Sequence, residues 1–211
     1  MTERKMIRRL SVVAAGMFLG LVFAVCLWRS RGGDGVLLVP RQIREPEHVV
    51  YFCQQDPAWA DDHLGEARDT MASSGCLVCA LASGLAMQAA GQGLSFELTA
   101  GELNEAFSEA EVYTESGAVI WGRIPLAVPG TESLVMNSVD GEEIARLLED
   151  GIFPVVKVRM KGVGAWHWVL LTGSDANGYL CMDPMSDTKE AVSLSEFHNR
   201  AYAVRAVYFC E

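Results

Sequence analysis

The sequence predicts an α+β fold, with helices first, an antiparallel sheet after them, and one apolar helix ahead of both. Three observations predict it. Residues 10–28 carry no charge, and residues 76–110 and 141–150 hold apolar or amphipathic runs bracketed by capping residues. Beyond Pro154 the chain turns to Val, Tyr, Trp and Leu around an Asn177-Gly178 turn. Half of the 211 residues are apolar and 21% are charged, which excludes a disordered or low-complexity protein.

Leu10 to Trp28 spans 19 residues, enough at about 1.5 Å per residue to cross most of a roughly 30 Å hydrocarbon layer. It reads as a transmembrane signal anchor. Arg4, Lys5, Arg8 and Arg9 precede it and only Arg29 and Arg31 follow, so the positive-inside bias leaves residues 1–9 as a basic cytoplasmic tail. The body then lies outside, in a single-pass arrangement at the cell membrane. A cleaved secretory signal shares the basic start and would release the body as a secreted protein. Its apolar stretch is usually shorter, about 7–15 residues, and no small-x-small cleavage site follows here. Lipidation at Cys26 is disfavoured because Val25 stands where a small residue is expected.

Residues 29–48, Gly-, Arg- and Pro-containing with little periodicity, are expected to be a linker to a body spanning 49–211. Residues 1–32 hold six Lys/Arg and one Glu, which leaves 11 basic and 26 acidic side chains, net −15, on residues 33–211. Such a surface repels phosphates, so no nucleic-acid partner is expected.

In the body, Val49–Cys53 is a short strand-like run before the Asp56-Pro57 loop. Cys76 to Ala90 is almost wholly apolar, with Ser73 or Ser74 to cap its front and Gly91 to end it, and predicts a buried helix. Thr99-Ala-Gly-Glu102 has capping-box spacing and opens a helix to about Ala110. Asp140 caps a third helix, 141–150, that Gly151 closes. Strands follow at 154–160, 167–173, 178–182 and 202–209, and Ser193-Leu-Ser-Glu196 begins a short helix before the last.

Four features carry chemistry. Cys76 opens the apolar helix, where the positive end of the helix dipole favours a thiolate; a buried structural cysteine is the plainer reading. His167 heads a strand between Trp166 and Trp168. Alone it reads as a packed core histidine. Asp183 lies across the 177–178 turn, so an antiparallel hairpin brings its carboxylate beside the imidazole to orient it. Gln54 and Gln55 follow the first strand-like run, and a glutamine amide can donate to an oxyanion.

In order these read Gln, Cys, His, Asp, with a helix carrying the thiol and a sheet the base: the layout of papain-like cysteine peptidases. More narrowly, Tyr51-Phe-Cys-Gln54-Gln-Asp-Pro-Ala-Trp59, Ser74-Gly-Cys76-Leu-Val, His167-Trp-Val-Leu-Leu-Thr-Gly173 and Asp183-Pro184 resemble the bacteriocin-processing, double-glycine-leader peptidases and their stand-alone relatives. The resemblance covers about residues 49–209. It implies a papain-like fold in which a central apolar helix carries the nucleophile and packs on the sheet, a peptide or protein substrate, and no cofactor. It implies Cys76 as nucleophile, His167 as general acid/base, Asp183 as the residue that fixes the His tautomer, and Gln54 as oxyanion donor with Gln55 as local alternative. Leu77-Val78 departs from the Gly-Pro of many relatives, and Cys79 from their small residue. No transporter or ATP-binding motif accompanies the body, so leader processing is not carried over.

Two rivals stay open. Cys76-Leu-Val-Cys79 is a C-x-x-C at a helix start, the arrangement of an exported thiol redox protein. A peptidase-like scaffold also serves as an inactive peptide-binding module. Cys181, Cys210, His63 and His198 lack zinc-ligand spacing. Cys53 and Cys210, near the two ends of the body on strands expected to be neighbours, form a disulfide or pack as free thiols. The acidic stretches 56–69 and 97–115 are solvated faces or, if they line the approach to Cys76, a preference for basic peptides.

Overall fold

A computed structural model describes residues 16–25, 35–44, 49–162, 164–186 and 188–210. The chain divides into two units, Met1–Gly35 and Val36–Glu211. In the first, residues 16–25 form helix α1 with exposed side chains. The remainder of the anchor expected over 10–28, and the whole tail 1–9, lie outside the described residues. Among the described residues no helix is long and apolar enough to cross a membrane.

The second unit packs helices against a sheet. Its elements are β1 (Val36–Leu37), α2 (Met71–Ser74), α3 (Cys76–Gln92), α4 (Ala100–Glu109), α5 (Ile124–Ala127), β2 (Thr131–Val135), α6 (Gly141–Glu149), β3 (Val155–Arg159), β4 (Trp166–Asp175), β5 (Gly178–Met182), β6 (Val192–Ser193), β7 (Arg200–Ala201) and β8 (Ala203–Phe209). Six strands form one antiparallel sheet in the order β2-β8-β3-β4-β5-β6, and β1 pairs with β7.

Helix α3 is the buried centre because nearly every residue from Val78 to Ala89 is apolar or small. It lies on one face of the sheet, and Gly84 permits the close approach: a Cβ there would stand 2.9 Å from Leu170 Cδ1. Val155, Leu170, Met182 and Val207 share this core with α3, α4 and Trp59. The other face buries Val156, Val158, Val169, Leu171 and Cys181 under Ile144 and Leu148 of α6 and Phe197. Val169, Leu170 and Leu171 of β4 alternate between the two cores, so this stretch reads as a continuous apolar run.

Several expectations change. Helix α3 ends at Gln92 with Gly93 in the left-handed region, two residues past Gly91. Neither Ser73 nor Ser74 caps it; Gly75 is the N-cap, and Ser73 Oγ instead accepts from Thr70 N at 2.9 Å in the separate turn α2. Val49–Cys53 forms no strand. The expected linker 29–48, described over 35–44, is attached to the body: β1 pairs with β7, Leu38 is buried, and Arg44 N donates to Ser174 O at 3.0 Å. Cys53, Cys76, Cys79, Cys181 and Cys210 are free thiols, so the Cys53–Cys210 bridge is not formed. Both residues lie outside the strands expected to align them, and Cys210 is exposed.

Candidate active site

Cys76 is the first residue of α3, and the approach to it is a backbone device. Helical turn α2 runs into α3 with only Gly75 between. A Cβ at Gly75 would stand 2.5 Å from Met71 O, so only glycine lets the two helices join so tightly. The Cys76 side chain is half-buried at the amino end of the helix, where the unpaired amides leave a partial positive charge.

His167 and Asp183 come from the sheet. Leu170 pairs with Met182, so continuing the ladder by one pair sets Asp183 beside Val169, one side-chain repeat from His167 on the same face. Asp183 Oδ1 accepts from His167 Nε2 at 2.7 Å and from Met185 N at 2.8 Å. Both residues are buried, at 2% and 8% exposure, so the pair is shielded from water. The Nε2 bond leaves Nδ1 free for another partner, and Cys76 is near enough to act on the ring's protonation. Burial lowers the His167 pKa, but the hydrogen bonds and negative charges of Asp183 and Cys76 outweigh it and raise the group from 6.5 to about 9.

Gln54 is tied to both parts. Its backbone N–H donates to Pro184 O at 2.9 Å, beside Asp183, and its side-chain Nε2 donates to Ala72 O at 2.7 Å, four residues before Cys76. The amide carries a second N–H. Among the described residues its Oε1 is buried without a hydrogen-bond partner, an orphaned acceptor. Gln55 is exposed, so burial separates the two glutamines. A cleft of about 520 Å³ opens along Tyr51–Trp59, with Gln55, Asp56 and Lys189 in its wall.

The sequence assigns Tyr51 no role of its own. Its hydroxyl donates to the carbonyl oxygens of Asp183, at 2.6 Å, and Ser186, clamping the loop that carries the carboxylate. The only sequence signal was its place in the Tyr51–Trp59 motif. Cys79, the second thiol of the C-x-x-C, is fully buried, and burial first, then the charge of Cys76, pushes its thiol far above the ordinary range. A thiol so held is a poor partner in disulfide exchange, which needs a thiolate. The acidic side chains Asp61, Asp62, Glu66, Asp69, Glu97, Glu105, Glu109 and Glu115 are exposed on the helical side.

No family model matches the chain, and no curated protein matches it. Among solved structures the chain is similar to the crystal structure of a candidate C39-like peptidase from Bacillus anthracis, at 15% identity and a TM-score of 0.47, over 78% of this chain and 100% of that one.

Proposed function

We propose that the protein is a thiol peptidase, cleaving a peptide or isopeptide bond through Cys76, His167, Asp183 and Gln54. The observation that carries the reading is one imidazole bonded to a buried carboxylate at 2.7 Å and raised in pKa by that carboxylate and by the thiol at the amino end of α3. With a pKa near 9, the ring holds its proton at neutral pH. It is therefore suited to protonating a leaving amine after the Cys76 sulfur has attacked the carbonyl. The free N–H of Gln54 and the backbone N–H of Cys76 would hold the oxyanion, and water would then hydrolyse the thioester. Residues 10–28 are proposed to anchor the protein in the cell membrane with the body outside the cytoplasm, as the flanking charges direct.

The test is labelling of the full chain with a peptide carrying a thiol-reactive electrophile. Wild type is expected to label on Cys76, and Cys76→Ala to show no labelling with an unchanged melting temperature. Labelling of the variant on another cysteine overturns the assignment.

A further inference from the structure

The sheet face on which α3 packs carries a second group of side chains that the cleavage chemistry does not use. Residues paired across an antiparallel ladder share a face. Val155 pairs with Leu170 and Arg205, Lys157 with Trp168 and Ala203, and Arg159 with Trp166, so all of these project to one side. At the far end of that face Lys157 Nζ lies 4.7 Å from the Trp166 ring centre and 6.0 Å from that of Trp168. The Arg159 guanidinium stacks on Trp166 at 4.0 Å, and Tyr202 meets Trp166 edge to face at 4.9 Å.

The wall lies at the Cys76 end of the helix. Gly84 lies over Leu170, and Gln88 Oε1 accepts from Phe209 N at 3.0 Å. Strands β4 and β8 run in the same direction, both being antiparallel to β3, so Phe209 marks the Asp175 end of the face. Helix α3 therefore runs with its amino end toward the start of β4, where Trp166 and Trp168 flank His167. Trp166 is 42% exposed, and Lys157 and Arg205 are half-buried, so the wall is open to a ligand.

Its charge runs against the rest of the body. Lys157, Arg159 and Arg205 gather on a face of a domain whose net charge is −15. Among the described residues no carboxylate lies within ion-pair distance of Lys157 or Arg205. Among the described residues Arg205 bonds to the carbonyls of Met136 and Val204, and its Nε is buried without a partner. Burial, then Arg205, then Arg159 hold the Lys157 pKa below its ordinary value, so the cations repel one another. Aromatic faces soften that repulsion, and an anion would remove it.

We infer that the Lys157–Trp166–Arg205 wall is a substrate subsite on the α3 face, on the Cys76 side of the sheet and across β4 from the His167 side chain, that takes a peptide carboxylate, so that the protein selects acidic peptides. This rests on the peptidase reading for the purpose of the subsite, and it reverses the preference for basic peptides that the overall charge suggests. The exposed acids of the helical side keep cationic chains at the periphery, while the wall supplies positive charge at the Cys76 end of the sheet.

Binding is measured on the full chain with Cys76→Ala, so turnover is not needed. The probes are fluorescent, N-acetylated, C-terminally amidated decapeptides with one Glu at successive positions, each paired with its Gln counterpart, plus one neutral decapeptide with a free C-terminus. At one or more positions the Glu peptide is expected to bind at least about fivefold more tightly than its Gln partner. That ratio is expected to fall to near one in Lys157→Gln and to return in Lys157→Arg. A preference confined to the free C-terminus assigns the site to a terminal carboxylate instead of a side chain. Equal binding of all Glu and Gln pairs and of both termini overturns the proposal, as does a ratio that survives in Lys157→Gln. Cleavage of a neutral peptide by wild type without carboxylate preference overturns the subsite alone. Carboxylate preference in a wild type that cleaves nothing overturns the peptidase reading alone.

Discussion

Cys76 is placed by residues within five positions of it, from Met71 through Gly75, whereas His167 and Asp183 meet across a hairpin, 16 residues apart. The helical side of the site is local and the sheet side is not. Local placement depends on caps, close backbone approach and a dipole, all of them carried by short sequence words. Sheet placement depends on register, because a slip of one residue turns every side chain to the opposite face. The sides also differ in charge: exposed acids cover the helical side, and Lys157, Arg159 and Arg205 gather on the sheet. Gln54 bridges the two, with its backbone on the Asp183 loop and its amide on α2.

The strongest way to break the comparison is to remove the sheet's contribution while leaving the helix intact. His167→Ala is expected to lower kcat/KM on a cleaved peptide by about 10²–10⁴-fold. A near-normal rate in a folded variant would mean that the sheet side does not serve Cys76. Because the Asp183 bond is buried, His167 also links stability to pH. Its folded pKa of about 9 lies above 6.5, so the stabilisation is complete below pH 6.5 and is lost as pH rises through about 9. The contribution is on the order of 3 kcal/mol. Urea unfolding at about pH 6 and about pH 10 should show this loss in wild type and much less of it in Asp183→Asn.

The local side is probed by Gly75→Ala, whose Cβ would meet Met71 O. It is expected to cost about 2 kcal/mol in urea unfolding and to slow alkylation of Cys76 by displacing it. Unchanged stability and alkylation would show that the junction of α2 and α3 has slack. The smallest effect is expected from Thr99→Ala, which removes the cap of α4 seen as Glu102 N donating to Thr99 Oγ1 at 3.3 Å. About 1 kcal/mol should be lost. The alkylation rate should not move, since α4 holds none of the reacting groups.

Elements with strong local signals are legible in the sequence alone. The Thr99 capping box, the Asp140 cap and strand Gly178–Met182 lie where the sequence places them. So does the turn before β5, where Asp175 Oδ1 accepts from Asn177 N at 2.7 Å. What stayed hidden was set by partners. Thr131–Val135 alternates weakly and is a strand because β8 offers it five paired residues. Val49–Cys53 has strand-like composition, yet no strand forms there, and Tyr51 is committed to the Asp183 loop. Residues 36–44 lack a period of their own and are held by β7, by the buried Leu38 and by Ser174.

The same division holds at the site. By itself the sequence determined which side chains were candidates and which helix carries the thiol, because a cysteine that follows glycine at the start of an apolar run is a local pattern. It also determined the hairpin that joins His167 to Asp183, since turn chemistry and strand period act over a few residues. Only the tertiary structure decided that the imidazole is bonded to a buried Asp183, that Gln54 and not Gln55 is buried, and that Tyr51 clamps the carboxylate loop. Those are outcomes of sheet register and of α3 docking on the sheet, and such non-local pairings leave no mark in the residues next to them.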